Sequence, residues 1–353
     1  MSRSAAVDAL SSSQMYIDGA WTDSADKATL ESVDPTTEEV VATFPDAAPE
    51  DVDRAVEAAR RAAREWGAVT PIQRGEILGR FADRVEEHIE ELAEIDAIDV
   101  GNPIDAMRND VAGGCREMRM FAGLATELKG ASSLNGDGQF AYGLLEPYGV
   151  VGRIIPFNHP LKFAAGKSAP VLAAGNCVIL KPPEQASLSA LRLAQISEEF
   201  LPPGVFNVVT GQGRRAGAAI AEHPGIPRVA FTGSVPTGKA VMRAAAEHVK
   251  HVSLELGGKN PMIVLPDVDV ETAAKAAIRG MNFARSQGQS CQSTSRVYVH
   301  RDIADDFIRH VVELAAALTL GDPLESGIDM GPLAFRAHYE RVLEYIRSGV
   351  DEG

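Results

Sequence analysis

The sequence predicts an α/β fold, a doubly wound parallel sheet followed by a second α/β unit, and two observations support this prediction. From Gly149 to Gly258, short β-branched runs alternate with helical stretches, as in parallel sheets covered by helices on both faces. After Gly258, the strand-like run NPMIVL, a helix from about Val270 to Ser286 and the strand RVYVH form a second unit. The first region is therefore expected to be Rossmann-like, and 353 residues are enough for two domains.

The individual elements follow from hydrophobic periodicity and turn residues. In the first region, strands are expected at 150–155, 176–181, 205–210, 228–233 and 251–256, with helices near 161–174, 187–200, 214–222 and 237–249. Upstream, short extended segments are expected in residues 16–45, with Tyr16 and Trp21 as packing residues. Helices are expected at 49–66, 75–99 and 104–128.

After the helical pattern of the preceding residues, residues 131–148 change to a pattern of extended segments around a turn, which predicts a β-hairpin. The turn signal Asn135-Gly136-Asp137-Gly138 lies there between extended flanks. The expected domains are then 14–130 together with 149–257, the inserted hairpin 131–148, and the unit 258–353.

Composition excludes several classes of protein. The chain has 34 Lys and Arg against 49 Asp and Glu, a net charge of −15, which disfavours a nucleic-acid partner. We read no secretory signal and no apolar run long enough to span a membrane, so a cytoplasmic protein without a membrane partner is expected. The three cysteines are odd in number and far apart, which fits a reducing compartment, and no spacing typical of zinc occurs, so no metal is expected.

Three segments at strand ends are candidates for contacts with a nucleotide. Residues 211–216 match G-x-G-x-x-A but lack the acidic residue expected about 20 positions later. Residues 233–240 nearly match a triphosphate loop, but Ala240 lacks the hydroxyl that Mg²⁺ requires; a diphosphate at Gly233, Ser234 and Gly238, at a helix start, is the better interpretation. Residues 181–184, Lys-Pro-Pro-Glu, form either a polar rim suited to ribose hydroxyls or a solvated turn.

Three residues are candidates for catalysis. Cys291 lies in a polar, irregular segment, whereas Cys115 and Cys177 lie in apolar elements and are expected to pack. Glu255 ends an apolar strand before two glycines and is either a general base or half of an ion pair. Asn158, between two prolines, is either an oxyanion donor or a turn residue.

Five motifs in order make the chain resemble the NAD(P)-dependent aldehyde dehydrogenase superfamily. They are PFNHP (156–160), KPPE (181–184), FTGS with Gly238 (231–238), LELGGKNP (254–261) and GQSCQSTSR (288–296). The resemblance implies that Cys291 is the nucleophile, Glu255 the base and Asn158 an oxyanion donor. It also implies a cofactor site formed by Phe157, Lys181, Glu184, Gly213, Gly233, Ser234, Gly238 and Leu256.

The resemblance further implies the reaction and the partners. An aldehyde would be oxidised to a carboxylic acid through a cysteine thiohemiacetal and a thioester, with Glu255 activating the hydrolytic water. Acyl transfer to coenzyme A is a related alternative that this glutamate disfavours. NAD is expected rather than NADP, because the carboxylate of Glu184 would repel a 2′-phosphate. The hairpin resembles the family's oligomerisation element, so a homo-oligomer is expected if the full-length chain exists.

The sequence departs from the family pattern in three places. In PFNHP, Phe157 stands where an indole is common and His159 where a phenyl ring is common, and in KPPE, Pro183 stands where a serine is common. The third departure is that the chain is shorter than typical members, which predicts a C-terminally truncated form with an incomplete catalytic domain. The competing hypothesis is a non-catalytic dinucleotide-binding fragment; a P-loop nucleotidase already fails at Ala240.

Overall fold

A seven-stranded sheet lies at the centre of the computed structural model, which describes residues 5–10 and 12–353. The strands are β1 (Met15–Ile17), β2 (Ala20–Thr22), β3 (Thr29–Val33), β4 (Val40–Pro45), β5 (Ala131–Leu134), β6 (Phe140–Gly143), β7 (Val150–Ile154), β8 (Cys177–Lys181), β9 (Phe206–Val208), β10 (Arg228–Gly233), β11 (His251–Leu256), β12 (Pro261–Val264) and β13 (Arg296–Val299). The five strands expected between residues 149 and 258 are all present, as β7 to β11.

Helices cover both faces of this sheet and connect its strands. They are α1 (Ala5–Asp8), α2 (Pro49–Ala68), α3 (Pro71–Glu87), α4 (Ile89–Val100), α5 (Ile104–Leu124), α6 (Pro160–Ala173), α7 (Leu188–Ser197), α8 (Ala218–Glu222), α9 (Val235–Ala246), α10 (Val270–Gly280), α11 (Phe283–Ser286), α12 (Ala304–Ala316) and α13 (Arg336–Glu352). A π-helical turn, Gly213–Gly217, precedes α8, and short 3₁₀ helices occur at Ala125–Glu127 and Arg301–Ile303.

The strand order is β11-β10-β7-β8-β9-β1-β2, and the expected doubly wound α/β fold is confirmed. Strands β7 to β11 are parallel, whereas β1 pairs antiparallel with both β9 and β2. The chain runs from β7 outward to β9 and then returns to the other side of β7 with β10. The order therefore reverses between β7 and β10, and a ligand is expected at the carboxyl ends of these two strands.

Two predicted helices are divided in the structure, so the single-helix predictions were wrong. The helix expected at 75–99 is interrupted at His88, whose backbone (φ −101°, ψ 20°) leaves the helical region between α3 and α4. The helix expected from Val270 to Ser286 ends before Asn282, which is left-handed (φ 58°). The apolar periodicity continues across both breaks, and for this reason it did not predict them.

The apolar side chains form separate cores. The large core lies around the main sheet and includes Trp66, Phe81 and the cysteines Cys115 and Cys177. A second, smaller core lies between the two-stranded sheet β12–β13 and helices α10 and α12, and Phe307 is one of its buried residues. None of the helices in the described ranges is both long and apolar enough to cross a membrane.

Strands β5 and β6 form the expected hairpin. They pair antiparallel from Ala131 with Gly143 to Leu134 with Phe140 and join no other strand among the described residues. Most of the hairpin is exposed, including its large apolar side chains.

Candidate active site

A cavity of about 1250 Å³ opens at the carboxyl ends of β7, β10 and β11, where the strand order reverses. The three candidate catalytic residues, Asn158, Glu255 and Cys291, all line it. Of the eight candidate cofactor residues, seven also line it: Phe157, Lys181, Glu184, Gly213, Gly233, Ser234 and Leu256. Phe157 and Cys291, which are 134 positions apart in the sequence, thus line the same cavity.

Cys291 lies in an irregular segment between α11 and β13, and its thiol is exposed. The side chain of Asn260 holds this segment, because its Nδ2 donates to the carbonyls of Cys291 (2.7 Å) and Ser293 (3.0 Å). The hydroxyl of Ser293 donates in turn to the carbonyl of Met281 (2.9 Å). The backbone N–H of Cys291 donates to no acceptor within residues 5–10 and 12–353.

Asn158 follows β7 and its side chain is 9% exposed. Its Nδ2 donates one hydrogen to the backbone carbonyl of Gln289 (2.7 Å), while the backbone carbonyl of Asn158 accepts from Nδ2 of Asn102 (2.9 Å). An amide nitrogen carries two hydrogens, and the second finds no acceptor in the described part of the chain. This hydrogen and the N–H of Cys291 are two unused donors at one cavity, which is what a developing oxyanion requires.

Glu255 is the fifth residue of β11, and its side chain is exposed to the cavity. The ion pair considered for it from the sequence is absent among the described residues. Arg153 is buried, and burial lowers its pKa to about 10, whereas the negative charge of Glu255 opposes this shift. Because Glu255 is exposed at the cavity, its carboxylate is accessible to water.

The Lys-Pro-Pro-Glu segment forms the polar rim of the cavity. Lys181 is 2% exposed, and its Nζ donates to Oε2 of Glu184 (3.2 Å). Burial lowers the pKa of Lys181, and the charge of Glu184 opposes this shift. Because an ammonium has three hydrogens, Lys181 keeps donors for a second partner such as a hydroxyl.

The two glycine-rich loops differ in what their backbone N–H groups contact. In the first loop, the N–H of Gln212 donates to Asp46 (2.9 Å) and that of Gly213 to Glu184 (3.1 Å), so carboxylates already occupy it. In the second, Ser234 caps α9 by accepting from the N–H of Thr237 (3.3 Å). The N-terminus of α9 faces the cavity, with the positive end of its dipole toward any bound phosphate.

Gly238 is the candidate cofactor residue that does not line the cavity. It lies in α9 behind the wall, and a Cβ added there would come within 2.8 Å of Cδ2 of Leu256. Gly238 therefore allows α9 to approach Leu256 closely, and Leu256 itself faces the cavity.

Sequence reasoning missed several residues that build the site. Asn260 and Gln289 lie inside motifs already noted, so their polar side chains next to Cys291 were an available signal. Asn102 lies just after α4 and outside all five motifs, so its position in the sequence carried no such signal. Phe335 packs on Phe157 with ring centroids 5.1 Å apart, and no periodic pattern pointed to this contact.

Comparison with known proteins agrees with this geometry. The family model described as the aldehyde dehydrogenase family matches residues 21–353. The chain is 44% identical over 351 residues to the chloroplastic aminoaldehyde dehydrogenase of Arabidopsis thaliana, covering 96% of this chain and 70% of that protein. It is 41% identical over 339 residues to the hydroxyisobutyraldehyde dehydrogenase of Mycolicibacterium austroafricanum, covering 96% of this chain and 67% of that protein.

Solved structures of aldehyde dehydrogenases resemble this chain at a comparable sequence identity. The NAD⁺ complex of an aldehyde dehydrogenase from Bacillus cereus superimposes with a TM-score of 0.96 at 40% identity, covering all of this chain and 73% of that one. The chain thus spans about 70% of the length of the relatives that it matches. The resemblance inferred from the five motifs is confirmed, and the chain belongs to the aldehyde dehydrogenase family.

Proposed function

We propose that this chain oxidises an aldehyde to a carboxylic acid with NAD⁺, using Cys291 as the nucleophile. The observation that carries the proposal is the meeting of Cys291, Asn158 and Glu255 at one cavity, where Nδ2 of Asn158 and the backbone N–H of Cys291 each have an unused hydrogen. The names of the relatives, an aminoaldehyde and a hydroxyisobutyraldehyde dehydrogenase, support an aldehyde as the substrate class.

The residues of the cavity fit a dinucleotide. Lys181 and Glu184 would hold the adenosine ribose, and Gly233 with Ser234 at the start of α9 would hold the pyrophosphate. Phe157, Gly213 and Leu256 would form further walls of the same site. Glu184 favours NAD⁺ over NADP⁺, because its carboxylate accepts from ribose hydroxyls and repels a 2′-phosphate. When bound, NAD⁺ supplies the acceptor for the hydride.

The first half of the reaction acylates Cys291. The thiolate attacks the aldehyde carbon, and the carbonyl oxygen becomes an oxyanion in a thiohemiacetal. The free hydrogen of Asn158 Nδ2 and the N–H of Cys291 donate to this oxyanion. Loss of hydride from the same carbon restores the carbonyl and leaves a thioester on Cys291.

The second half releases the acid. Glu255 takes a proton from a water molecule, and the oxygen of this water attacks the thioester carbonyl. The same two donors stabilise the second oxyanion, and the sulfur leaves as a thiolate. The exposure of Glu255 at the cavity supports this role, because its carboxylate must contact the water. Acyl transfer to coenzyme A would need no such base.

The parts of the chain would divide this work. Residues 14–130 with 149–257 would bind the cofactor, and residues 258–353 would supply Cys291. The hairpin 131–148 would contact another copy of the chain. Its exposed apolar side chains, Leu134 (82%), Phe140 (61%) and Tyr142 (68%), support a covered position in an oligomer, since an isolated two-stranded hairpin is marginally stable in water.

The test is NADH formation with a panel of aliphatic, aromatic and amino aldehydes. Wild-type chain should turn over at least one of them, and Cys291→Ala should abolish turnover. Cys115→Ala, which removes a buried thiol in α5, is the matched control and should keep the activity. Calorimetric NAD⁺ binding without any turnover by the wild type would contradict the proposal and favour the non-catalytic dinucleotide-binding fragment.

A further inference from the structure

A fully buried carboxylate lies beside the site and takes no part in the chemistry proposed above. Asp110, in α5, has no exposed surface. Its Oδ2 contacts Nδ1 of His159 at 2.5 Å, and its Oδ1 pairs with the guanidinium of Arg285. His159 is itself 7% exposed, so most of this cluster is excluded from water.

The charge of Asp110 determines the direction of its hydrogen bonds. Burial raises its pKa, but the hydrogen bond and charge of His159 and the charge of Arg285 outweigh burial and hold the pKa below its usual value. Asp110 is therefore ionised, and an ionised carboxylate only accepts. Nδ1 of His159 must then carry a hydrogen and donate it to Oδ2. Charge-assisted hydrogen bonds in a buried setting are strong and geometrically restrictive.

The two partners of Asp110 lie on the two chain segments that carry Asn158 and Cys291. His159 directly follows Asn158, the oxyanion donor on the cofactor side. Arg285 lies in α11, six residues before Cys291. The two segments also contact each other directly, because Nδ2 of Asn158 donates to the carbonyl of Gln289 (2.7 Å). One carboxylate group thus restrains both segments that must supply donors to the same oxyanion.

We propose that Asp110, His159 and Arg285 are positioning residues that hold the amide of Asn158 in register with Cys291. The inference rests on the proposed function and adds to it a positioning unit of three side chains. The common family pattern has a phenyl ring where His159 stands, and a phenyl ring cannot donate to Asp110.

A packing role for His159 can be separated from its hydrogen bond. The ring of His159 contacts that of Phe163 at a centroid distance of 5.8 Å, and Phe163 lines the cavity. His159→Phe keeps an aromatic ring against Phe163 and removes only the donor. His159→Asn removes the ring but offers an amide N–H close to where Nδ1 lies.

Release of p-nitrophenolate from p-nitrophenyl acetate provides the readout, because this reaction needs Cys291 and the oxyanion donors but neither hydride transfer nor cofactor. The thiolate adds to the ester carbonyl, p-nitrophenolate leaves, and an acetyl thioester remains. We expect His159→Phe and Asp110→Asn to slow this acylation about tenfold to hundredfold per titrated Cys291 thiol, as for other misplaced catalytic groups. His159→Asn should restore part of the rate, and the KM for the ester should stay close to the wild-type value.

The control is His223→Phe, which removes another partly buried histidine paired with a carboxylate, that of Asp53 at 3.1 Å, outside the cavity lining. It should keep the wild-type rate per thiol. An unchanged rate in His159→Phe, or a loss equal in His159→Phe and His159→Asn, would overturn the inference. Failure of the proposed function is separate, since it appears as absent NADH formation in wild-type chain that still releases p-nitrophenolate through Cys291.

Discussion

Burial separates the three cysteines of this chain into two packed thiols and one accessible thiol. Cys115 and Cys177 have no exposed surface, and burial raises the pKa of each to about 12. Cys291 is exposed on a segment held by Asn260. The sequence predicted this difference correctly, because apolar neighbours surround the first two and polar neighbours surround the third.

Thiol labelling tests this residue-scale distinction. In native chain at mildly alkaline pH, iodoacetamide should modify one thiol, and Cys291→Ser should abolish the labelling. In denaturant the wild type should take up three labels, since it has three cysteines. Mass spectrometry reads the stoichiometry, and rapid native labelling of Cys115 or Cys177 would contradict the account.

A second residue-scale prediction concerns the buried carboxyl of Asp96, which accepts from the N–H of Leu161 (3.1 Å) at the start of α6. Burial raises its pKa to about 8, and the charges of Asp99 and Asp110 add to the shift, against the hydrogen bond from Leu161. Because an unfolded Asp titrates near pH 4, the folded chain holds an extra proton between about pH 4 and 8. The free energy of unfolding contributed by Asp96 therefore falls as the pH rises through this window.

Asp96→Asn removes this dependence while keeping an acceptor for Leu161. Relative to wild type, the variant should gain on the order of 1 kcal/mol or more of stability on going from pH 5 to pH 9. Chemical denaturation at the two pH values measures the change. An equal effect of the substitution at both pH values would show that Asp96 does not titrate on unfolding.

At the scale of elements, the local hydrophobic pattern predicted which helices and strands exist better than it predicted where each one ends. The strands β7 to β11 were predicted because their β-branched runs are short and bounded by turn residues. The breaks at His88 and Asn282 were not predicted, because the apolar stripe continues through them. Contacts such as Asn102 with Asn158, or Arg285 with Asp110, join distant segments, and nothing in the spacing of these residues specifies the pairing.

The hairpin of β5 and β6 carries the element-scale prediction. If it contacts another copy of the chain, Phe140→Glu should lower the sedimentation coefficient by placing a charge in a covered apolar surface. The melting temperature of the separated chain should change little, because Phe140 is 61% exposed. Ile72→Glu, at a 64% exposed position on α3, is the matched control and should leave the sedimentation unchanged. Identical sedimentation of Phe140→Glu and wild type would exclude the hairpin from the contact.

At the scale of the whole molecule, the site depends on a close approach between Gly101, which follows α4, and two segments near the other end of the chain, at Gln287 and Gly331. A Cβ on Gly331 would lie 2.1 Å from the carbonyl oxygen of Gly101, an impossible contact. That carbonyl also accepts from Nε2 of Gln287 (2.8 Å), in the segment that leads to Cys291. Backbone contact at Gly331 and side-chain contact at Gln287 therefore meet at one point, which sequence spacing alone does not reveal.

Gly331→Ala should push the backbone at residue 331 away from Gly101, because the added Cβ overlaps the Gly101 carbonyl oxygen. We expect a lower melting temperature and slower labelling or acylation of Cys291, because the segment before it loses its anchor at Gly101. Gly123→Ala is the control, since a Cβ there meets nothing within 4 Å and alanine suits the interior of α5. Wild-type stability in Gly331→Ala would contradict the close approach.

The central claim is that Cys291 is acylated and that Glu255 then drives hydrolysis, and pre-steady-state NADH formation by Glu255→Gln tests it most directly. Glu255→Gln should release about one NADH per reactive Cys291 in a rapid burst, followed by turnover slowed about 10²-fold to 10⁴-fold, as expected for loss of a general base. The thioester should be detectable on Cys291 by mass spectrometry after acid quench. Wild-type steady-state turnover by Glu255→Gln, with no acyl group on Cys291, would contradict the account.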